Sequence, residues 1–345
     1  MEHSTENHFT HGEREADAQN NEVYVPKPFL ELFVKASGID NRSIGACLFC
    51  QEFWMELYAL YELDLIRVEV KTVNVNSELF KRSFLGALPP VLVELEKNLT
   101  YSDNREIERR IFHIAKEFDV LLFEKDVVVE KKIESLYRSI FITMLTRGHE
   151  SYPTRNPNLH PLLLQVEESR VRWFGHVLRM PPEKRRQNFK IFLKAKIDYD
   201  RDHPNEDVKQ IPHLVQPAYN KLIEQLGNID KLLEQRGTRY LISSSMTMYD
   251  CELMPRLHHI RIAGEYLCDT EIPHNLVYLW NYLMTAYRTA AFIESCPHDQ
   301  SIIYHYKEQL NLTRKSRESL QALTKTLEVP QDVLAQIQRL GLDQK

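Results

Sequence analysis

What the sequence lacks narrows its chemistry before any motif is read. Nowhere in its 345 residues is there an uncharged apolar run of the ~20 residues that a membrane-crossing helix requires. The nearest approach, IPHNLVYLWNYLMTAY over 272–287, is uncharged but carries Pro273, His274 and two asparagines, and reads as a buried helix. No secretory hydrophobic region opens the chain; MEHSTENHFTHGEREADAQNN is polar and His-rich, and residues 1–27 read as a disordered leader. The five cysteines are an odd number spread along the chain, a poor basis for a disulfide framework, so a reducing, cytoplasmic setting is expected. With 44 Lys and Arg against 49 Asp and Glu, the net charge of -5 provides no global field for nucleic acid. No second Cys-x-x-Cys and no matched histidine pair completes a zinc site, and the adjacent His258 and His259 face different sides of a helix, so no metal is expected.

What is present is globular: 43% hydrophobic and 27% charged residues, in a chain long enough for two domains. Residues 30–36 (LELFVKA) alternate as a half-buried strand does, and a helix follows from about Cys47 to Leu63 with apolar residues at helical spacing. IRVEVKTVNV (66–75) reads as a second strand, Leu79 to Phe84 as a short helix, Val91 to Leu95 as a third strand and NLTYS as the return strand of a hairpin. Ser102 and Asp103 cap a helix running to about Phe118. The order βαβ, α, ββα predicts a thioredoxin-like domain over 28–122, with a right-handed crossover between its parallel strands.

Beyond Phe123 strand signals cease. Residues 128–140, 188–198, 213–235, 250–267, 274–294 and 298–322 read as helices of an all-helical domain over 123–345, with a loosely packed polar tail after Thr324. Thr247 and Asp250 form a Thr-x-x-Asp capping box, which makes Asp250 a structural cap and Cys251 a core residue. Residues 141–187 break the pattern: a Pro/Asn-rich loop precedes SRVRWFGHVLRMPPEKRR, and 147–187 holds eight Lys and Arg against four Asp and Glu. This stretch reads as an insertion that splits a long helix. RVRWFGHVLRMP is similar to a tail segment of retrotransposon-encoded reverse transcriptases, and no nucleic-acid function is expected from it.

A cysteine at a helix start, Leu-Pro before a strand, a Ser-Asp cap and an all-helical second half together resemble the glutathione transferase superfamily. The stretches LELFVKASGIDNRSIGACLFCQEFWMELYALYE, FLGALPP, YSDNREIERRIFHIAKEFDVLLFEKD and SSSMTMYDCELMPRLHHIRI resemble more specifically the chloride intracellular channel (CLIC) family, its nematode members in particular. The resemblance implies an α/β thioredoxin-like domain followed by an all-helical glutathione transferase C-terminal domain. It implies a cytoplasmic protein that translocates to membranes, conducts chloride, can oligomerise there and acts in tube and lumen formation. It also implies that residues 47–73 refold into a membrane span.

Physically that segment is an awkward span. It carries Glu52, Glu56, Glu62, Asp64, Arg67, Glu69 and Lys71, each costing about 2.5–3.5 kcal/mol at bilayer depth, so pairing, oligomerisation or protonation is needed.

The competing expectation is a glutathione-dependent oxidoreductase. A thiolate at Cys47 would be favoured by the helix N-terminus, and the resemblance implies a mixed disulfide with glutathione there. Cys50 is either a resolving thiol or core filler. The resemblance also implies that Leu88 and Pro89 hold the cysteinyl group of glutathione, with Pro89 the cis proline, and that Ser102 and Asp103 receive the γ-glutamyl end. Leu48 departs from the family pattern, which has proline there. A scaffold with neither activity is the third expectation.

Overall fold

A computed structural model describes residues 27–124, 126, 129, 216–268, 270–309 and 322–344. Apart from Lys27 and Val129, the leader, the helices expected at 128–140 and 188–198 and the insertion at 141–187 lie outside these residues.

The first strand, β1 (Phe29–Lys35), alternates half-buried and buried positions, with Leu30, Leu32 and Val34 fully buried. Helix α1 (Leu48–Glu62) crosses back to β2 (Arg67–Val73), which pairs parallel to β1 with Phe33 opposite Lys71. The short α2 (Glu78–Ser83) leads to β3 (Val91–Glu94), antiparallel to β1, and β4 (Leu99–Tyr101) closes a hairpin on β3. The strand order β2-β1-β3-β4 is the expected thioredoxin-like sheet, with β2 at an edge. Helix α3 (Asn104–Glu117) packs Ile107, Ile111 and Ile114 into the same core as α1. Beneath it Arg110 donates two hydrogen bonds of 2.9 Å to the buried Glu94 carboxylate, a bidentate pair that ties α3 to β3.

The second described region is helical: α4 (Gln216–Arg236), α5 (Met248–Cys268), α6 (Val277–Ala286), α7 (Ala290–Ser295), α8 (Asp299–Gln309) and α9 (Gln331–Arg339). The single helix expected over 274–294 is two, broken after Ala286. At the break Thr289 carries extended backbone angles and its hydroxyl bonds back to the Thr285 carbonyl. The tail is not loose. Asp299 accepts hydrogen bonds from the backbone N–H and hydroxyl of Thr326, and Val333 and Ile337 of α9 are fully buried in the helical core. Those two residues are four apart on one face, a period masked by the polar residues around them.

Candidate functional site

Sheet register brings the predicted thiol and glutathione residues to one end of the sheet. Phe33 near the end of β1 lies opposite Val91 at the start of β3, and Leu92 lies opposite Tyr101 at the end of β4. The loop after β1, the prolines before β3 and the start of α3 therefore emerge side by side. The loop folds back on its own strand, with Gly45 donating its N–H to the Lys35 carbonyl at 2.8 Å. A Cβ on Gly45 would stand 2.5 Å from the Ala36 carbonyl oxygen and 2.6 Å from that of Lys35, a clash with backbone that no rotamer relieves. Gly45→Ala is accordingly expected to destabilise the chain by about 1–3 kcal/mol in chemical denaturation, by displacing the start of α1.

Cys47 occupies the N-cap of α1 with extended backbone angles, as expected from its position, and its side chain is 6% exposed. Leu48 is the first helical residue, a position where proline would also be tolerated. Cys50 lies one turn on, 2% exposed, with its sulfur 3.5 Å from the Lys35 amide nitrogen. Both are thiols with no disulfide between them, and both pack in the sheet-side core.

Around them lie the residues that the resemblance implies for glutathione. Ser102 and Asp103 are exposed at the start of α3, where Asp103 caps the helix by accepting from the Arg105 N–H at 2.9 Å. The cysteinyl side differs from expectation. The cis peptide bond joins Pro89 to Pro90, so the cis proline is Pro90 and not Pro89. The residue ahead of it is itself a proline and has no N–H to donate, while Leu88 is 69% exposed. The resemblance implies Pro89, and the adjacent Pro90 takes that place.

A second cluster lies on the other face of α1, where it meets α5. Glu56 of α1 is 2% exposed, and its Oε2 has no hydrogen-bond partner among the described residues. Glu52 lies 3.6 Å from Arg256 of α5, which also pairs with Glu252 at 3.1 Å. Burial, reinforced by the charges of Glu52, Glu108 and Glu252, holds the Glu56 carboxyl well above the ordinary glutamate range. Burial likewise pushes the Cys251 thiol of α5 well up, which fits the core role expected for it. Sequence reasoning counted Glu52 and Glu56 only as obstacles to insertion.

A thioredoxin-like sheet with a cysteine capping its first helix, followed by helices packed on that helix, gives the chain a glutathione transferase-like fold. Within that class the chain belongs to the chloride intracellular channel family. Residues 28–112 match the CLIC-like N-terminal domain. The chain is 53% identical to the Caenorhabditis elegans chloride intracellular channel exc-4, over 94% of this chain and 95% of that protein. It is 34% identical to the Drosophila melanogaster chloride intracellular channel Clic, over 89% and 92% of the two lengths. The crystal structure of the CLIC homologue EXC-4 from Caenorhabditis elegans matches with a TM-score of 0.73 at 54% identity, covering 92% of this chain and 99% of that one.

Proposed function

We propose that this chain is a cytoplasmic CLIC protein that moves to membranes, where residues 47–73 leave the fold, enter the bilayer and contribute chloride conductance, in the service of tube and lumen formation. The observation that carries this reading is the α1–α5 interface. At that interface Glu56 is buried with Oε2 unpartnered among the described residues, and such a group costs about 1–3 kcal/mol, which offsets part of the apolar burial α1 gives up when Phe53, Leu57 and Leu60 leave the core. The second half of the segment is equally releasable: β2 is an edge strand whose side chains are all exposed or half-buried. The names of its relatives supply the chloride.

Among the described residues no helix is long and apolar enough to cross a membrane, so insertion requires refolding. On entry Glu52, Glu56, Glu62, Asp64, Arg67, Glu69 and Lys71 require pairing or protonation. One span encloses no pore, so conductance requires several copies. Chloride efflux from dye-loaded vesicles is therefore expected to rise more steeply than linearly with protein concentration. A linear dependence, or no efflux, contradicts the reading.

A second reading, a glutathione-dependent oxidoreductase with glutathione bound across the cleft, is favoured by Cys47 at the N-cap with the Cys50 thiol one turn away. The burial of both thiols ranks it second. It expects the parent to reduce a small disulfide with glutathione, and a folded Cys47→Ser variant to lose that activity. An inactive parent removes this reading, and failure of both assays leaves a scaffold.

A further inference from the structure

The most exposed large apolar side chains among the described residues are Leu85, Leu79 and Leu88, at 97%, 78% and 69%, and all three fall within ten residues of the α2 segment. Exposed single leucines are ordinary, but this concentration in one short stretch is not. The segment is also firmly held. Phe80 and Phe84 of this segment stack with Phe33 of β1, their ring centroids 4.8–6.4 Å apart. The turn after α2 is closed by the Gly86 N–H, which donates to the Lys81 carbonyl at 2.9 Å.

At the tip, Leu85 has φ +51° and Gly86 φ +80°. A left-handed backbone suits glycine or asparagine, and leucine there is disfavoured. Leucine at this tip is also almost wholly exposed, so the folded chain gains no burial from it. Beside the leucines, Lys81 pairs with Glu78 at 3.2 Å, and the exposed Arg82 forms no ion pair with a described residue.

We propose that the α2 segment, through Leu79, Leu85 and Leu88 with Arg82 at their side, is the surface by which the folded chain docks onto an anionic lipid bilayer. The leucines would enter the headgroup boundary while Arg82 meets lipid phosphate or carboxylate, the division of labour of interfacial anchors. A second copy of the chain fits the surface less well, because three leucine side chains offer well under the ~800 Å² per partner of a stable protein interface. The inference rests on the membrane reading above but concerns a different segment and an earlier step. It places the anchor next to the thiol cleft and leaves α1 in place.

Vesicle sedimentation with the full chain tests it, using phosphatidylcholine vesicles with and without phosphatidylserine. Leu85→Asn suits the left-handed backbone and should keep the fold, verified by its melting curve. Combined with Leu79→Ser and Leu88→Ser, it is expected to lower binding to the anionic vesicles roughly 100-fold. Arg82→Glu is expected to lower binding to those vesicles by about tenfold while changing binding to neutral vesicles little.

A parent that binds neither vesicle, or folded variants that bind as the parent does, overturns the proposal. So does a parent dimer that the leucine replacements dissociate without changing vesicle binding, since the surface would then join two copies. The two membrane readings fail separately. Leucine-dependent binding without protease protection of 47–73 refutes the refolding and leaves the dock. Protection that ignores the leucine replacements refutes the dock alone.

Discussion

Replacing Asp250 by alanine is expected to cost about 3–5 kcal/mol of stability and to lower Tm by on the order of 10 °C, a larger loss than an ordinary helix cap would give. The carboxylate is wholly buried and accepts four hydrogen bonds: the Thr247 N–H at 2.8 Å, the Thr247 hydroxyl at 2.9 Å, the Leu241 N–H at 2.9 Å and the Tyr282 hydroxyl at 2.8 Å. It thus caps α5, anchors the loop ahead of it and grips α6. Alanine leaves all four donors buried with no acceptor, whereas Asp250→Asn keeps one oxygen and should lose roughly half as much. Thermal unfolding followed by circular dichroism checks both. Burial raises the Asp250 carboxyl above its ordinary value despite these donors, so the site is held at a desolvation cost. A loss near that of an exposed cap, about 1 kcal/mol, would mean that the four-donor geometry contributes little.

Replacing Glu56 by glutamine is expected to stabilise the chain by about 1–3 kcal/mol at mildly alkaline pH, and to leave stability unchanged in acid. The sign follows from the raised pKa. A carboxyl that stays protonated in the fold to higher pH than in the unfolded chain contributes its full stability below the ordinary value of 4.5, and loses it as pH rises through the folded value. The groups facing it from neighbouring elements are Glu108 of α3 and Glu252 of α5, with Glu52 on its own helix, so acidic neighbours reinforce the burial. Arg256 is already paired with Glu52 and Glu252. Glutamine keeps the shape and removes the titration. Denaturant unfolding over a pH series should show the parent weakening relative to the variant as pH rises. Parallel curves would show that Glu56 is not titrating at the interface.

Much of this was readable beforehand, for identifiable reasons. The alternation in LELFVKA, the Asp103 cap and the Thr247–Asp250 box each reflect local chemistry, and each lies where the pattern placed it. Cys47 at a helix start is equally local. Pattern failed where tertiary context decides. The cis bond falls on Pro90 where Pro89 is expected, the sparse Val333 and Ile337 of α9 read as tail, and the helix expected over 274–294 is two. The environment of Glu56 depends on α5, some 200 positions along the chain, and no local period records it. Leu85 reads as an ordinary apolar residue until its left-handed backbone is seen.

The claim on which the functional account rests is that residues 47–73 exchange a protein interface for a bilayer. It is tested most directly by treating the vesicle-bound full chain with a non-specific protease and identifying the retained peptides by mass spectrometry. The account predicts that a peptide spanning Cys47 to Val73 survives with vesicles, is digested once detergent dissolves them, and carries Glu56 within it. Digestion of 47–73 at the same rate as the rest of the bound chain would contradict it.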